Sequence, residues 1–126
     1  MILDSSALVA ILHDETEADD FMAAIHEAGR VAISGATVLE TSMVVGQTRW
    51  GDLDDLLKTA HAELLPLDRA HVLAAREAFV RYGRGSGSSA RLNFGDCLAY
   101  AAAKVTGEPL LFKGDDFTHT DIEAAL

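Results

Sequence analysis

The chain opens Met1-Ile2-Leu3-Asp4-Ser5-Ser6, an apolar run of three residues cut off by an acid and two hydroxyls, and a stretch of helical character, Ala7–Leu12, follows at once. A run that short and that uniformly apolar suits a strand buried on both faces, the condition of a parallel sheet covered by helices. The same grammar recurs along the chain. Thr16–Ala28 places apolar residues at Ala18, Phe21, Met22, Ile25 and Ala28, a helical period, with Gly29 as its expected C-terminal cap. Val31–Ser34 is a second strand, Ala36–Trp50 a longer helix stopping near Gly51, and Asp52 begins another helix through Ala62. Glu63–Pro66 reads as a third strand that Pro66 assigns to a sheet edge or strand end. Asp68 caps a helix over Ala70–Tyr82, a flexible Gly83–Ser89 loop follows, Asn93 caps a helix of about Phe94–Val105 ended by Gly107, and Leu110–Phe112 is the last strand. The alternation predicts one domain over residues 1–126, a three-layer α/β/α arrangement with a short, mainly parallel sheet of four or five strands.

Composition removes several classes of function. With 49% apolar and 24% charged residues the chain can bury a core, so whole-chain disorder is excluded. Acids number 20 against 10 Lys plus Arg, a net charge of −10, which excludes duplex or membrane binding through a broad basic face. Cys97 is the only cysteine, so no internal disulfide forms and a reducing compartment, the cytoplasm, is expected. No basic leader precedes Asp4 and no apolar run approaches the ~18 residues of a membrane span, so neither a signal peptide nor a membrane partner is expected.

The acids are placed where chemistry could occur. Asp4 ends the first strand, Asp115 and Asp116 follow the last, Asp96 lies in the first turn of the helix begun at Asn93, and Glu40 lies near the start of the helix after the second strand. Ligands of open α/β sheets bind at this carboxyl edge. Each acid also has an ordinary explanation: Asp4 as a cap, Asp96 as a complement to the helix dipole, Asp115 and Asp116 as turn residues. Glu40 is harder to explain so, because Val38, Leu39, Val44 and Val45 surround it. Converging carboxylates repel one another unless a cation joins them, and an all-oxygen set suits Mg²⁺ or Mn²⁺. The five histidines show no metal spacing, and Cys97 is read as a small buried apolar residue.

Met-Ile-Leu-Asp4-Ser-Ser6-Ala-Leu, Glu40, Asn93-Phe-Gly-Asp96-Cys-Leu-Ala-Tyr100 and Leu-Leu-Phe-Lys-Gly-Asp115-Asp116-Phe117 together resemble a PIN domain, and more narrowly the VapC toxins of type II toxin–antitoxin systems. The resemblance implies a Mg²⁺-dependent (or Mn²⁺-dependent) endoribonuclease that cleaves RNA phosphodiesters with metal-activated water. Asp4 and Asp96 would be the direct metal ligands, Glu40 and either Asp115 or Asp116 would assist, and Ser6 would orient the first acid. One departure stands out: many relatives carry Thr and then an acid two residues on after the last strand, where this chain has Phe112, Lys113 and Gly114. The resemblance also implies a VapB-like antitoxin, here placed around Phe21, Met22, Ile25, Met43 and Val44, and a homodimer. A housekeeping PIN nuclease and a non-catalytic PIN binding module are the alternatives; a phosphoacceptor receiver is disfavoured because Asp4 is followed by Ser5-Ser6 rather than a second acid.

Two further readings concern the surface. Trp50, Phe79, Tyr82 and Tyr100 fall at helical spacings and are read as core or interface. Between Ala78 and Gly95 there is no acid, yet Arg81, Arg84 and Arg91 occur there, so this stretch is a candidate grip on RNA phosphates.

Overall fold

The computed structural model describes residues 1–126. Four strands, β1 (Ile2–Leu3), β2 (Ala32–Ser34), β3 (Glu63–Leu65) and β4 (Leu110–Leu111), form one sheet in the order β3-β2-β1-β4. Every pairing is parallel, with Ile2 opposite both Ala32 and Leu110, and Ile33 opposite Leu64. The two-residue period of a strand divides the apolar runs between two layers. Ile2, Ala32 and Leu110 pack with Ala78, Ala99, Tyr100 and Ala103, whereas Leu3, Ile33 and Leu111 pack with Ala7, Leu8, Phe21, Ile25 and Leu53. This is the three-layer α/β/α architecture that the sequence predicts. A single bridge between Leu110 and Ala124 extends the sheet beyond β4 without making a full fifth strand.

Helices α1 (Ser5–Leu12), α2 (Ala18–Glu27), α3 (Gly35–Val45), α4 (Trp50–Thr59), α5 (Arg69–Tyr82) and α6 (Phe94–Thr106) connect and cover the strands. α1 and α3 begin on the caps Asp4 and Ser34, with no loop between strand and helix. α5 begins on Asp68 and α6 on Asn93, both as predicted, and α6 ends at Gly107 with φ +69°. Buried Ala99, Ala101, Ala102 and Ala103 line α6, and such small side chains let its backbone lie close to the sheet.

Two boundaries differ from the sequence reading. The helix after β2 stops at Gly46, whose φ of +82° ends it, and not near Gly51. A 3₁₀ turn over Gln47–Arg49 follows, and Trp50 starts α4 while its indole N–H donates to the Ser42 carbonyl at 2.9 Å. Gly51 lies inside α4. The second helix ends on Ala28 in an extended conformation, so Gly29 does not provide a left-handed cap. Trp50 and Phe79 are exposed; Tyr100 is buried against Tyr82, with ring centroids 5.8 Å apart. No helix is long and apolar enough to cross a membrane.

Ile33 is fully buried in a central strand, whereas Val80 on α5 is 74% exposed. Ile33→Ala is expected to cost about 2–5 kcal/mol in denaturant unfolding and Val80→Ala less than about 0.5 kcal/mol. Equal costs would contradict the two-layer core.

Candidate active site

Asp4 ends β1 and caps α1 with one carboxylate oxygen. Its Oδ2 accepts hydrogen bonds from the Ser6 N–H at 3.0 Å and the Ser6 hydroxyl at 2.5 Å. The Ser6 oxygen in turn accepts from the Lys113 N–H, just beyond β4, at 2.9 Å. Ser6 therefore ties the first acid to the neighbouring strand's end. The other oxygen, Oδ1, is buried and has no partner. Burial pushes the Asp4 carboxyl upward and the nearby Glu40 charge adds to this, against the Ser6 hydrogen bonds that pull it down.

Asp96 repeats the arrangement on α6. Its Oδ2 accepts from the Asn93 N–H and its own N–H donates to Asn93 Oδ1, both at 2.9 Å, a complete capping box. Burial first, then the charges of Asp4 and Asp116, push its carboxyl up to about 6, while the Asn93 N–H and Arg84 act in the opposite direction. The cap offered as an ordinary explanation for Asp4 is real, Asp96 completes the capping box begun by Asn93, and each acid uses only one oxygen in doing so. Glu40 approaches from α3, the helix after β2, with Oε1 buried and unpartnered. Its carboxylate rests on Gly95: a Cβ there would lie 1.6 Å from Glu40 Oε2. Gly95 is a site residue that sequence reasoning missed, and its signal was a glycine in a first helical turn where alanine is better.

The structure links Glu40 to Asp4, Asp4 to Asp96 and Asp96 to Asp116 in a chain of like charges. Asp116 is the acid beyond β4 whose charge reaches Asp96; the carbonyl of Asp115 is occupied by Thr118, whose hydroxyl donates to it at 2.7 Å. No three of these side chains stand close enough together to form a complete metal cage. The donor set nevertheless fits a hard divalent cation. It is all carboxylate, two of its oxygens, on Asp4 and Glu40, are buried without partners, and Gly95 makes room for the Glu40 side chain.

Other predicted residues are redistributed. Arg81 lies 3.6 Å from both Glu77 and Asp121 and stacks over the Tyr82 ring, so it belongs to a surface network and not to the cleft. Arg84 and Arg91 line a polar recess of about 320 Å³ together with Asp116. Phe21 and Ile25 are core residues, leaving the half-buried Met22 and the exposed Met43 and Val44 as the accessible part of the expected antitoxin surface. Lys113, the departure after β4, turns its ammonium to Glu15 at 2.5 Å and Glu17 at 2.9 Å, pinning the α1–α2 connection beside Ser6.

Comparison with known proteins places the chain in a family. The family model described as PIN domain matches residues 1–123. Ribonuclease VapC30 of Mycobacterium tuberculosis is 44% identical over 127 residues, covering 97% of this chain and 95% of that protein. Among solved structures, Mycobacterium tuberculosis VapC20, described as a sarcin-ricin loop cleaving toxin, superposes with a TM-score of 0.74 at 14% identity over 96% of this chain and 95% of its own. A toxin–antitoxin complex from Klebsiella pneumoniae gives 0.73 at 15% identity, over 95% and 92%.

Two outcomes follow from the site geometry. Gly95→Ala should leave thermal stability near that of the parent, because α6 gains helix propensity while the displaced Glu40 end is flexible. It should nevertheless weaken Mn²⁺ binding at least about tenfold by calorimetry, which corresponds to ~1.4 kcal/mol; unchanged affinity would contradict the placement of Glu40. A carboxyl raised to about 6 in the folded state costs stability above that pH and ceases to do so as pH falls through 6 toward 3.8. Without metal, Asp96 should therefore make unfolding free energy decline as pH rises from about 4 to about 6, and Asp96→Asn should remove that contribution; an identical profile in the variant would refute it.

Proposed function

The chain belongs to the PIN domain family, and from that membership and the carboxylate cleft we infer that it is a VapC-type endoribonuclease, the toxin of a type II toxin–antitoxin system, with residues 1–126 acting as one domain. The observation that carries this reading is the pair of buried, unpartnered oxygens, Asp4 Oδ1 and Glu40 Oε1, beside Asp96 at the carboxyl end of the sheet. PIN-domain VapC nucleases depend on divalent metal, and Mg²⁺, with Mn²⁺ as substitute, suits this hard-oxygen set. A bound divalent cation supplies charge neutralisation and Lewis-acid activation at the phosphodiester.

The chain's own residues do the rest. Asp4 and Asp96 would hold the cation, since each has one carboxylate oxygen not used in capping. Ser6 fixes the angle of the Asp4 carboxylate. Glu40 and Asp116 accept protons from the attacking water, and Asp116 is preferred to Asp115 because its charge reaches Asp96. Arg84 and Arg91 contact RNA backbone. The antitoxin of this reading is a VapB-like protein that places a cation among Asp4, Glu40 and Asp96, with apolar support from exposed Met43 and Val44. Exposed Phe79, Val80 and Phe94 support a homodimer, and the single unpaired cysteine supports the cytoplasm as its location.

Incubation of the pure chain with total RNA, with and without Mg²⁺, tests the reading. Cleavage should require the ion and fall by at least about 10³-fold in Asp4→Asn and Asp96→Asn, a loss of ~4 kcal/mol. Near-parental cleavage by either variant at saturating Mg²⁺ would remove the assignment.

A further inference from the structure

We propose that Arg84 and Arg91 together form a single seat for one RNA backbone phosphate adjacent to the scissile one, which deepens and rests on the endoribonuclease reading. Arg30, Arg49 and Arg81 are paired with carboxylates, whereas Arg84 and Arg91, like Arg69 and Arg76, form no ion pair. Of these four only Arg84 and Arg91 line the same recess, which Asp116 also lines. Asp116 and Arg84 act on Asp96 from that side with opposite charge, so the recess adjoins the carboxylate cleft.

The backbone explains why these two side chains share one space. The Gly83–Leu92 bridge closes the loop at its neck. There the Arg84 N–H donates to the Leu92 carbonyl at 3.1 Å and the Leu92 N–H to the Tyr82 carbonyl at 2.8 Å. Arg84 and Arg91 each adjoin one of the two bridged residues at the closed neck, while the glycines with positive φ, Gly85 and Gly87, lie toward the tip. Arg91 itself adopts φ +51°, a left-handed conformation unusual for a residue with a side chain. Two guanidinium forks fixed on one recess match a phosphodiester, which offers two anionic oxygens and carries the charge this acidic surface otherwise repels. The shortest efficient substrate then carries a second phosphate beside the cleaved bond.

Salt dependence of binding distinguishes one seat from two separate contacts. The probe is a pool of random-sequence single-stranded RNA octamers, labelled with fluorescein and titrated with the full chain in EDTA across a KCl series. Each phosphate neutralised on a single strand contributes about 0.7 to the slope of log K against log salt. Arg84→Gln, Arg91→Gln and the double substitution should each lower the slope by about the same ~0.7, and Arg84→Lys and Arg91→Lys should restore it, which a misfolded loop would not. An unchanged slope, additive losses in the double variant, or no binding by the unsubstituted chain at low salt would overturn the seat. Cleavage of total RNA by the unsubstituted chain with Mg²⁺ reports separately on the nuclease reading. A chain that cuts RNA without the arginine-dependent slope loses the seat alone, and one with the slope pattern but no cleavage loses the nuclease reading alone.

Discussion

The hydrogen bond from the Ser6 hydroxyl to Asp4 Oδ2 joins three parts of the molecule, because the same oxygen of Ser6 accepts from Lys113 at the end of β4. It sets the first turn of α1, the angle of the Asp4 carboxylate and the separation of two adjacent strand ends. A buried carboxylate is costly unless it is held by donors. Here the donors satisfy one oxygen and leave the other available, and Asn93 does the same for Asp96. The helix caps that stabilise the fold and the acids that define the site are therefore the same side chains used on two sides.

The parallel sheet determines where those side chains meet. β1 and β2 run directly into capped helices, so each strand delivers its terminal polar residue to the carboxyl edge without a loop. β1 and β4 are neighbours, which brings Asp4 beside the segment carrying Asp116, and α6 crosses the sheet with its amino end at the same edge. Glu40 reaches in from α3 only because residue 95 is glycine. Burial first, and the neighbouring negative charge in addition, raises both Asp4 and Asp96 and makes a cation the natural neutralising partner.

Much of this was legible in the sequence because its determinants are local. Short apolar runs ended by Asp4 or Ser34, the caps Asp68 and Asn93, and the terminator Gly107 are each signalled within a few residues. What was misread depends on backbone angle or on distant partners. Gly46 and Gly51 look alike in a sequence, and only the φ of +82° at Gly46 identifies which one breaks the helix. Arg81 sits in a basic stretch by sequence, yet Asp121, forty residues away in the chain, takes up its charge. Phe21 and Ile25 share a helical stripe with Met22, and only the position of the sheet shows that they face the core. The choice between Asp115 and Asp116 likewise turns on the course of the chain after β4, which one-residue spacing does not encode.

The central claim is that the oxygens left free by the Asp4 and Asp96 caps, with Glu40 beside them, form the binding site of a divalent cation. Crystals of the chain grown with Mn²⁺ and measured for anomalous scattering test it most directly. A manganese peak within about 2.0–2.3 Å of Asp4 Oδ1 and of an Asp96 oxygen, with the Ser6 and Asn93 hydrogen bonds retained, is the result this account predicts. Saturating Mn²⁺ that leaves those oxygens uncoordinated, with peaks only at other carboxylates, would contradict it.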